Sequence, residues 1–429
     1  MKYLPVSSEL FVQNRRRLAK MLKPNSIAIF VSNDEMPRSA DSHHTFRQNA
    51  DLFYLTGIDQ EKTILVLFPD HPLENNREIL FIRRTNEIIA VWEGHKFTME
   101  EAQNTSGIEN IYWEESFENM LAPLMYQAQN CYLNLNEHSR MHNSVPDKEM
   151  RFARSMRESF PLHNYERAAP VMHYLRAEKS NIEIDLMRKA VDITGSAFRR
   201  VLGFVKPGVY EYEIEAEIQH EYLINRASGP AYPSIIASGK NSCILHYNVN
   251  NQVCQDGDVL LMDFGADFAN YAADLTRTIP VNGRFSPRQL AVYNAVLRTL
   301  KFAKELLRPS TLIEEYHKEV GRFMESELIQ LGLLDAKAVA AQHPDRPLYK
   351  KYFMHGTSHF LGIDVHDVGN RYLPLRAGMV LTCEPGIYIP EENLGIRLEN
   401  DILVTNGSPV DLMENIPIDP MEIMELMNR

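Results

Sequence analysis

Cysteine is scarce in this chain. Cys131, Cys243, Cys254 and Cys383 are the only thiols in 429 residues, and no two of them have CxxC spacing. That excludes a disulfide framework and a thiolate zinc site, and makes a reducing compartment the expectation. Long apolar runs are missing as well. Stretches such as Ile64–Phe68 are strand-length, far short of the roughly 20 residues that span a bilayer. The opening residues hold no apolar segment of the secretory kind, and Pro5 and Glu9 speak against reading their arginines as a mitochondrial presequence. Positive charge is in deficit: 45 Lys and Arg against 57 Asp and Glu leave −12. Nucleic acid and anionic membrane surfaces need a basic face, so neither is an expected partner. Three catalytic signatures are absent too. Gly239-Lys240 is only a fragment of a phosphate loop, no GxSxG elbow occurs, and in His355-Gly-Thr-Ser-His359 a glycine holds the place where HExxH has its glutamate.

What is present reads as a globular, cytoplasmic protein: 44% of residues are hydrophobic and 24% charged. The length suggests two or three domains. Residues 8–22 have helical spacing, and strand candidates follow at Ile27–Val31, Ile64–Phe68 and Ile79–Ile82, giving a first α/β domain over 1–170. The second domain, 171–429, opens on a helix after Ser180-Asn-Ile-Glu183, a capping box. Further helices are expected over Glu211–Arg226, from Ser286-Pro287 to Leu307 and over Ile313–Leu331, with a hairpin at 258–281. Strands at Val380–Glu384, Gly386–Ile389 and Ile396–Val404 complete an α+β domain with a mostly antiparallel sheet.

Four carboxylates stand in stretches that should be apolar strands: Asp263, Asp274, Glu384 and Glu399. One such acid would be an ordinary turn residue. Four in one domain call for a cation, because an uncompensated buried carboxylate costs several kcal/mol. His355, His359 and His366 crowd into the twelve positions 355–366, and Gly356 and Gly362 among them argue against a helix.

The strings Asp263-Phe-Gly, Asp274-Leu-Thr-Arg-Thr-Ile-Pro, His355-Gly-Thr-Ser-His-Phe-Leu-Gly-Ile-Asp-Val-His366, Glu384-Pro-Gly-Ile-Tyr388 and Arg397-Leu-Glu399 resemble the pita-bread metallopeptidases. Leu245-His246-Tyr247 fits the same pattern. In the first domain Arg38-Ser-Ala-Asp-Ser42, Phe46-Arg-Gln-Asn49 and Asp51-Leu-Phe-Tyr-Leu-Thr-Gly57 look like the N-terminal signature of the aminopeptidase P family. The resemblance implies a pita-bread (creatinase/aminopeptidase) fold behind a smaller creatinase-like α/β domain. It implies five metal ligands, Asp263, Asp274, His359, Glu384 and Glu399, holding two divalent ions. Their oxygen-rich chemistry suits Mn²⁺, with Co²⁺ or Zn²⁺ as alternatives. It further implies Glu384 as general base, His246, His355 and His366 as substrate-side histidines, Tyr388 and Arg397 beside the substrate, and Asp41 and Trp92 as rims for a neighbouring subunit's site. Arg397, two residues before Glu399, would share its strand face and reach a site carboxylate or tyrosine. A homo-oligomer, dimer or tetramer, belongs to the same expectation. The implied activity is release of the N-terminal residue from peptides with proline second. Prolidase, cleaving Xaa-Pro dipeptides with the same ligands, is the alternative. A non-catalytic peptide- or protein-binding module is the alternative of another class, and the complete ligand set speaks against it. Thr357, where the family often has Leu, and the short Pro390–Leu394 connection are departures that bear on substrate preference.

Overall fold

The computed structural model describes residues 3–138, 140–141 and 144–429. The chain forms two compact units, Tyr3–Arg176 and Ala177–Arg429. The helix Ala169–Ala177 runs across the 170/171 boundary expected from sequence. Its Arg176 donates to Asp51 at 2.8 Å, so the first unit extends to Arg176.

The first unit is built on a six-stranded sheet in the spatial order Asn110–Trp113, Glu78–Ile82, Ile64–Leu67, Ser26–Val31, Asn130–Leu133, Asn164–Arg167. The pairings of Ile64–Leu67 are antiparallel and the other three parallel. Ser26–Val31 is buried along its whole length, which is why it reads as an unbroken apolar run and does not alternate. Ile27, Ile29 and Val31 pack with Phe117, Leu121 and Met156 from two helices, Phe117–Met125 and Lys148–Ser159.

The second unit opens on the long helix Asn181–Phe204. Its capping box forms as the sequence predicts: Glu183 Oε2 accepts from Ser180 N at 2.8 Å, and Ser180 Oγ from Glu183 N at 3.4 Å. Helices Glu211–Ile224, Pro287–Leu306 and Ile313–Gln330 follow. The strand pairings described in this unit are antiparallel.

Two expected strands turn out to be interrupted, and both breaks shape the site. The hairpin of 258–281 steps at Gly265. Val259–Phe264 pairs with Leu275–Pro280, and beyond the step Ala266–Phe268 pairs with Tyr271–Ala272. A Cβ on Gly265 would fall 1.7 Å from the Ala273 carbonyl oxygen, so the close approach of the two chains needs glycine. The second break falls in Ile396–Val404. Leu394–Arg397 pairs with Gly386–Ile389, whereas Asn400–Leu403 pairs with Val380–Cys383. Between them Leu398 N–H bonds Pro385 O and Glu399 N–H bonds Thr276 O, as the chain passes from one sheet to the next.

Candidate metal centre and substrate face

Five side chains meet where these strands end. Asp263 stands within Val259–Phe264, opposite Thr276. Asp274 immediately precedes Leu275–Pro280, Glu384 immediately follows Val380–Cys383, and Glu399 lies in the passage between sheets. His359 is tied to the neighbouring strand through Thr382. Its N–H donates to Thr382 Oγ1 at 3.1 Å and its carbonyl accepts from Thr382 N–H at 3.0 Å. Only Asp263 is thus a mid-strand acid; the others occupy strand ends, where the ladder makes fewer demands on the backbone.

His359 Nε2 is 3.4 Å from Asp274 Oδ2 and 3.8 Å from Glu384 Oε1. One ligand atom each from Asp274, His359 and Glu399 lies within 4.8 Å of the others. His359 Nδ1 lies 3.0 Å from the Phe360 carbonyl and donates to it, which turns Nε2 toward the acids. Arg397 binds the group together from one side. It donates to Asp263 Oδ2 at 2.5 Å, to Thr276 Oγ1 at 3.1 Å and to the Tyr388 hydroxyl at 2.8 Å, while Thr276 Oγ1 donates to Glu399 Oε2 at 2.6 Å. Arg397 is 4% exposed, which disposes of a surface role.

Burial and mutual repulsion act on these groups together. Burial first, then Asp274, Glu384 and Asp263, hold the Glu399 carboxyl well above its ordinary range. Burial lifts Glu384 to about 7 against the pull of His359 and Arg397. Asp274 is raised by burial, with His359 opposing. Burial disfavours the His359 imidazolium, but Asp274 and Glu384 outweigh it and raise the ring to about 9. Four carboxylates and one imidazole crowded together form the donor set that divalent ions satisfy, with oxygen dominant and no thiolate.

The other sequence-singled residues fall in different places. His355 Nδ1 donates to Gly356 O at 2.7 Å and its Nε2 accepts from Tyr388 OH at 2.8 Å, so both ring nitrogens are engaged within the protein. Burial, with Arg397 nearby, drops it to about 3, and it stays neutral. The exposed His366 stands edge-on against His359, ring centroids 4.5 Å apart. His246 is exposed on the segment after the short helix Gly239–Cys243, close enough to His355 to act on its charge. Asp41 and Trp92 belong to the first unit and are exposed, Asp41 in the turn between Pro37–Ser39 and Ser42–His43 and Trp92 on the helix Glu87–Glu93. Cys383, one residue from Glu384, is buried, and burial pushes its thiol far up, which fits a packing role.

Sequence reasoning missed three contributors. The Tyr232 hydroxyl contacts Asp263 Oδ1 at 2.6 Å and also Asp274 Oδ1. Asp401, fully buried, accepts from the Asp274 backbone N–H at 3.2 Å. Lys179 donates to Asp367 at 3.2 Å in a fully buried pair just past His366. Asp401 and Asp367 stand beside motifs already singled out, two residues after Glu399 and directly after His366, and their acidity was the readable signal; Tyr232 and Lys179 lie in no such string.

The profile of metallopeptidase family M24 matches residues 185–406, and that of the aminopeptidase P N-terminal domain matches residues 11–132. The chain belongs to metallopeptidase family M24, as a metalloexopeptidase with the aminopeptidase P domain order. It is similar to a Xaa-Pro aminopeptidase of Escherichia coli, 36% identical with 98% of each chain covered. It is also similar to Xaa-Pro aminopeptidase 3 of Mus musculus, 32% identical over 94% of this chain and 80% of that one. Among solved structures, the Pseudomonas aeruginosa aminopeptidase PepP matches with a TM-score of 0.88 at 31% identity, covering 100% and 99% of the two chains. A zinc-substituted Escherichia coli aminopeptidase P in complex with product matches with a TM-score of 0.87 at 34% identity, covering 99% of each. The pita-bread architecture behind a smaller N-terminal domain is therefore the fold of this chain. Among the described residues no helix is long and apolar enough to cross a membrane.

Proposed function

We propose that the chain is a Xaa-Pro aminopeptidase in which Asp263, Asp274, His359, Glu384 and Glu399 hold two divalent ions, Mn²⁺ by preference. The observation that carries this is the convergence of the five side chains: His359 Nε2 lies 3.4 Å from Asp274 and 3.8 Å from Glu384, ligand atoms of Asp274, His359 and Glu399 fall within 4.8 Å of one another, and Arg397 and Thr276 tie in Asp263 and Glu399. When bound, such a pair polarises a carbonyl and makes water nucleophilic near neutral pH. The formal charge of four carboxylates matches that of two such ions.

The chain's own residues supply the rest. Glu384 is assigned as the proton acceptor, a carboxylate standing between His359 and His355 at the edge of the cluster. Arg397 and Thr276 fix the orientation of Asp263 and Glu399, which leaves the ligand geometry little freedom. Tyr388 is oriented by Arg397 and by His355, and we assign His355 this holding role ahead of direct substrate contact. His366 and His246, both exposed, are the histidines assigned to the substrate's carbonyl oxygen or scissile nitrogen, where a donor stabilises developing charge. The carboxylates attract the free N-terminal amine, which selects for chain ends. Asp41 and Trp92 stay assigned to the rim of a neighbouring subunit's site in a homo-oligomer, and the cytoplasm is the compartment proposed.

The decisive measurement is release of the first residue from Xaa-Pro-Xaa peptides, with the enzyme chelated and then reloaded. Cleavage that disappears on chelation and returns with Mn²⁺ is the expected result, and cleavage indifferent to chelation would refute the assignment. An enzyme that cuts only the Xaa-Pro dipeptide would instead be a prolidase.

A further inference from the structure

The segment that carries His246 is tied down from beneath by one side chain with no assigned part in the chemistry. Glu211 is the first residue of the helix Glu211–Ile224 and is completely buried. Its Oε1 accepts from Ser238 N–H at 2.8 Å, from Ser238 Oγ at 2.7 Å and from Asn241 Nδ2 at 3.4 Å. Its Oε2 accepts from Tyr247 OH at 2.7 Å and from Gln252 N–H at 2.9 Å. All five donors lie within residues 238–252, the stretch that surrounds His246, and one of them is the residue directly after it. The Glu211 backbone N–H closes the clamp by donating to Gln252 O at 3.0 Å.

At its apex Ile244 and Val249 are 52% and 62% exposed, and His246 is exposed between them. Leu245 is partly buried against the cluster of Tyr388, Ile235, Ala237 and Leu261, and Asn250 is held further on by Ser234 and Glu215. Tyr247, directly after His246, turns inward and packs into the same cluster. Its hydroxyl must find a partner when its ring is buried, and Glu211 is that partner. A carboxylate suits the place because it accepts at every position and donates at none, and because the helix N-terminus favours negative charge. A glutamine would turn an NH₂ group toward either Ser238 N–H or Gln252 N–H and leave one buried donor unmatched.

We propose that Glu211 is a positioning residue for the reaction, holding His246 at the substrate face through Tyr247 and both ends of the 238–252 segment. This rests on the reading that His246 meets the substrate. The test is a double-mutant cycle of Glu211→Gln and His246→Ala, with kcat and KM for a Xaa-Pro-Xaa peptide, bound metal per chain and thermal midpoint measured for each variant. Glu211→Gln is expected to lower kcat about 10- to 100-fold, as a misplaced catalytic contact does, with metal content unchanged. The double variant is expected to be no slower than His246→Ala alone, because removing the imidazole removes what Glu211 holds. Tyr247→Phe, a milder cut in the same link, is to be run through the same cycle and decides the matter if Glu211→Gln fails to fold. Full multiplicative losses in the double variant, or an unchanged kcat for Glu211→Gln, would overturn the positioning role and leave the assignment of His246 standing. A His246→Ala enzyme at the parental rate would overturn that assignment, and the positioning role with it.

Discussion

One hydroxyl, that of Tyr232, lies against two carboxylates at once, Asp263 and Asp274. Burial and then the charges of Asp263, Asp274 and Glu399 hold it far above the ordinary phenol range, so it remains a donor. Second-layer donors of this kind are usually worth about 10- to 100-fold in metal affinity. Tyr232→Phe should therefore weaken metal binding by about that factor in a chelator competition, with activity recovered at saturating metal. Unchanged affinity would remove Tyr232 from the site. The residue was invisible in the sequence for a plain reason: it sits in a turn 31 positions before Asp263, within Gly229-Pro-Ala-Tyr-Pro, which looks like any other loop. The acids and histidines were legible because their chemistry is out of place in an apolar strand. Tyrosine is at home there, and its role depends on what the fold brings beside it.

Among the elements, those defined by local chemistry came out as the sequence implies. The helix Asn181–Phe204 begins at Ser180 because a hydroxyl and a carboxylate three residues apart satisfy its first N–H groups. Replacing Ser180 with Ala should destabilise the protein by about 1 kcal/mol in urea unfolding without altering cleavage of native protein; a loss of activity with no loss of stability would contradict this. The elements that were misjudged are the two interrupted strands. No glycine or proline interrupts 396–404, so no local breaker announces the passage at Leu398 and Glu399; it is dictated by which sheet each half pairs with, a long-range matter. The same holds at Gly265, where a glycine could have been an ordinary turn and is instead the point where two chains touch. These interruptions bring Arg397 and Glu399 to one threonine, Thr276, whereas an unbroken strand would merely have set them on the same face.

Taken whole, the molecule buries ionisable groups whose pH responses run in opposite directions, one example standing in each unit. In the first, Glu149 is buried beside Asp51, Asp147, Asn134 and Asn49; burial, with Asp51 adding to it, raises the carboxyl from 4.5 to about 8. The folded state then holds a proton that the unfolded chain releases, so this contribution is fully present below pH 4.5 and is lost as pH rises toward about 8. In the second unit His317, whose Nδ1 accepts from Thr357 N–H at 3.2 Å, is lowered by burial from 6.5 to about 4. Here the unfolded chain takes up the proton first, so stability is present above pH 6.5 and is lost as pH falls toward about 4. Thermal midpoints across this range should show Glu149→Gln flattening the alkaline decline and His317→Gln the acid one. A profile that neither substitution changes would show that these groups do not govern it. The division into an α/β unit and an α+β unit was readable from strand and helix periods, but these buried ionisable groups were not, since burial is a property of the packed chain.

The placement of the acids has a consequence for descent. Because Asp274, Glu384 and Glu399 stand at the ends of ladders, the sheets do not depend on their charge for pairing. A lineage could exchange them one at a time, keep the shape and the peptide groove, and lose only the chemistry. In such an architecture a hydrolase and a silent peptide receptor are separated by a few substitutions rather than by a new fold.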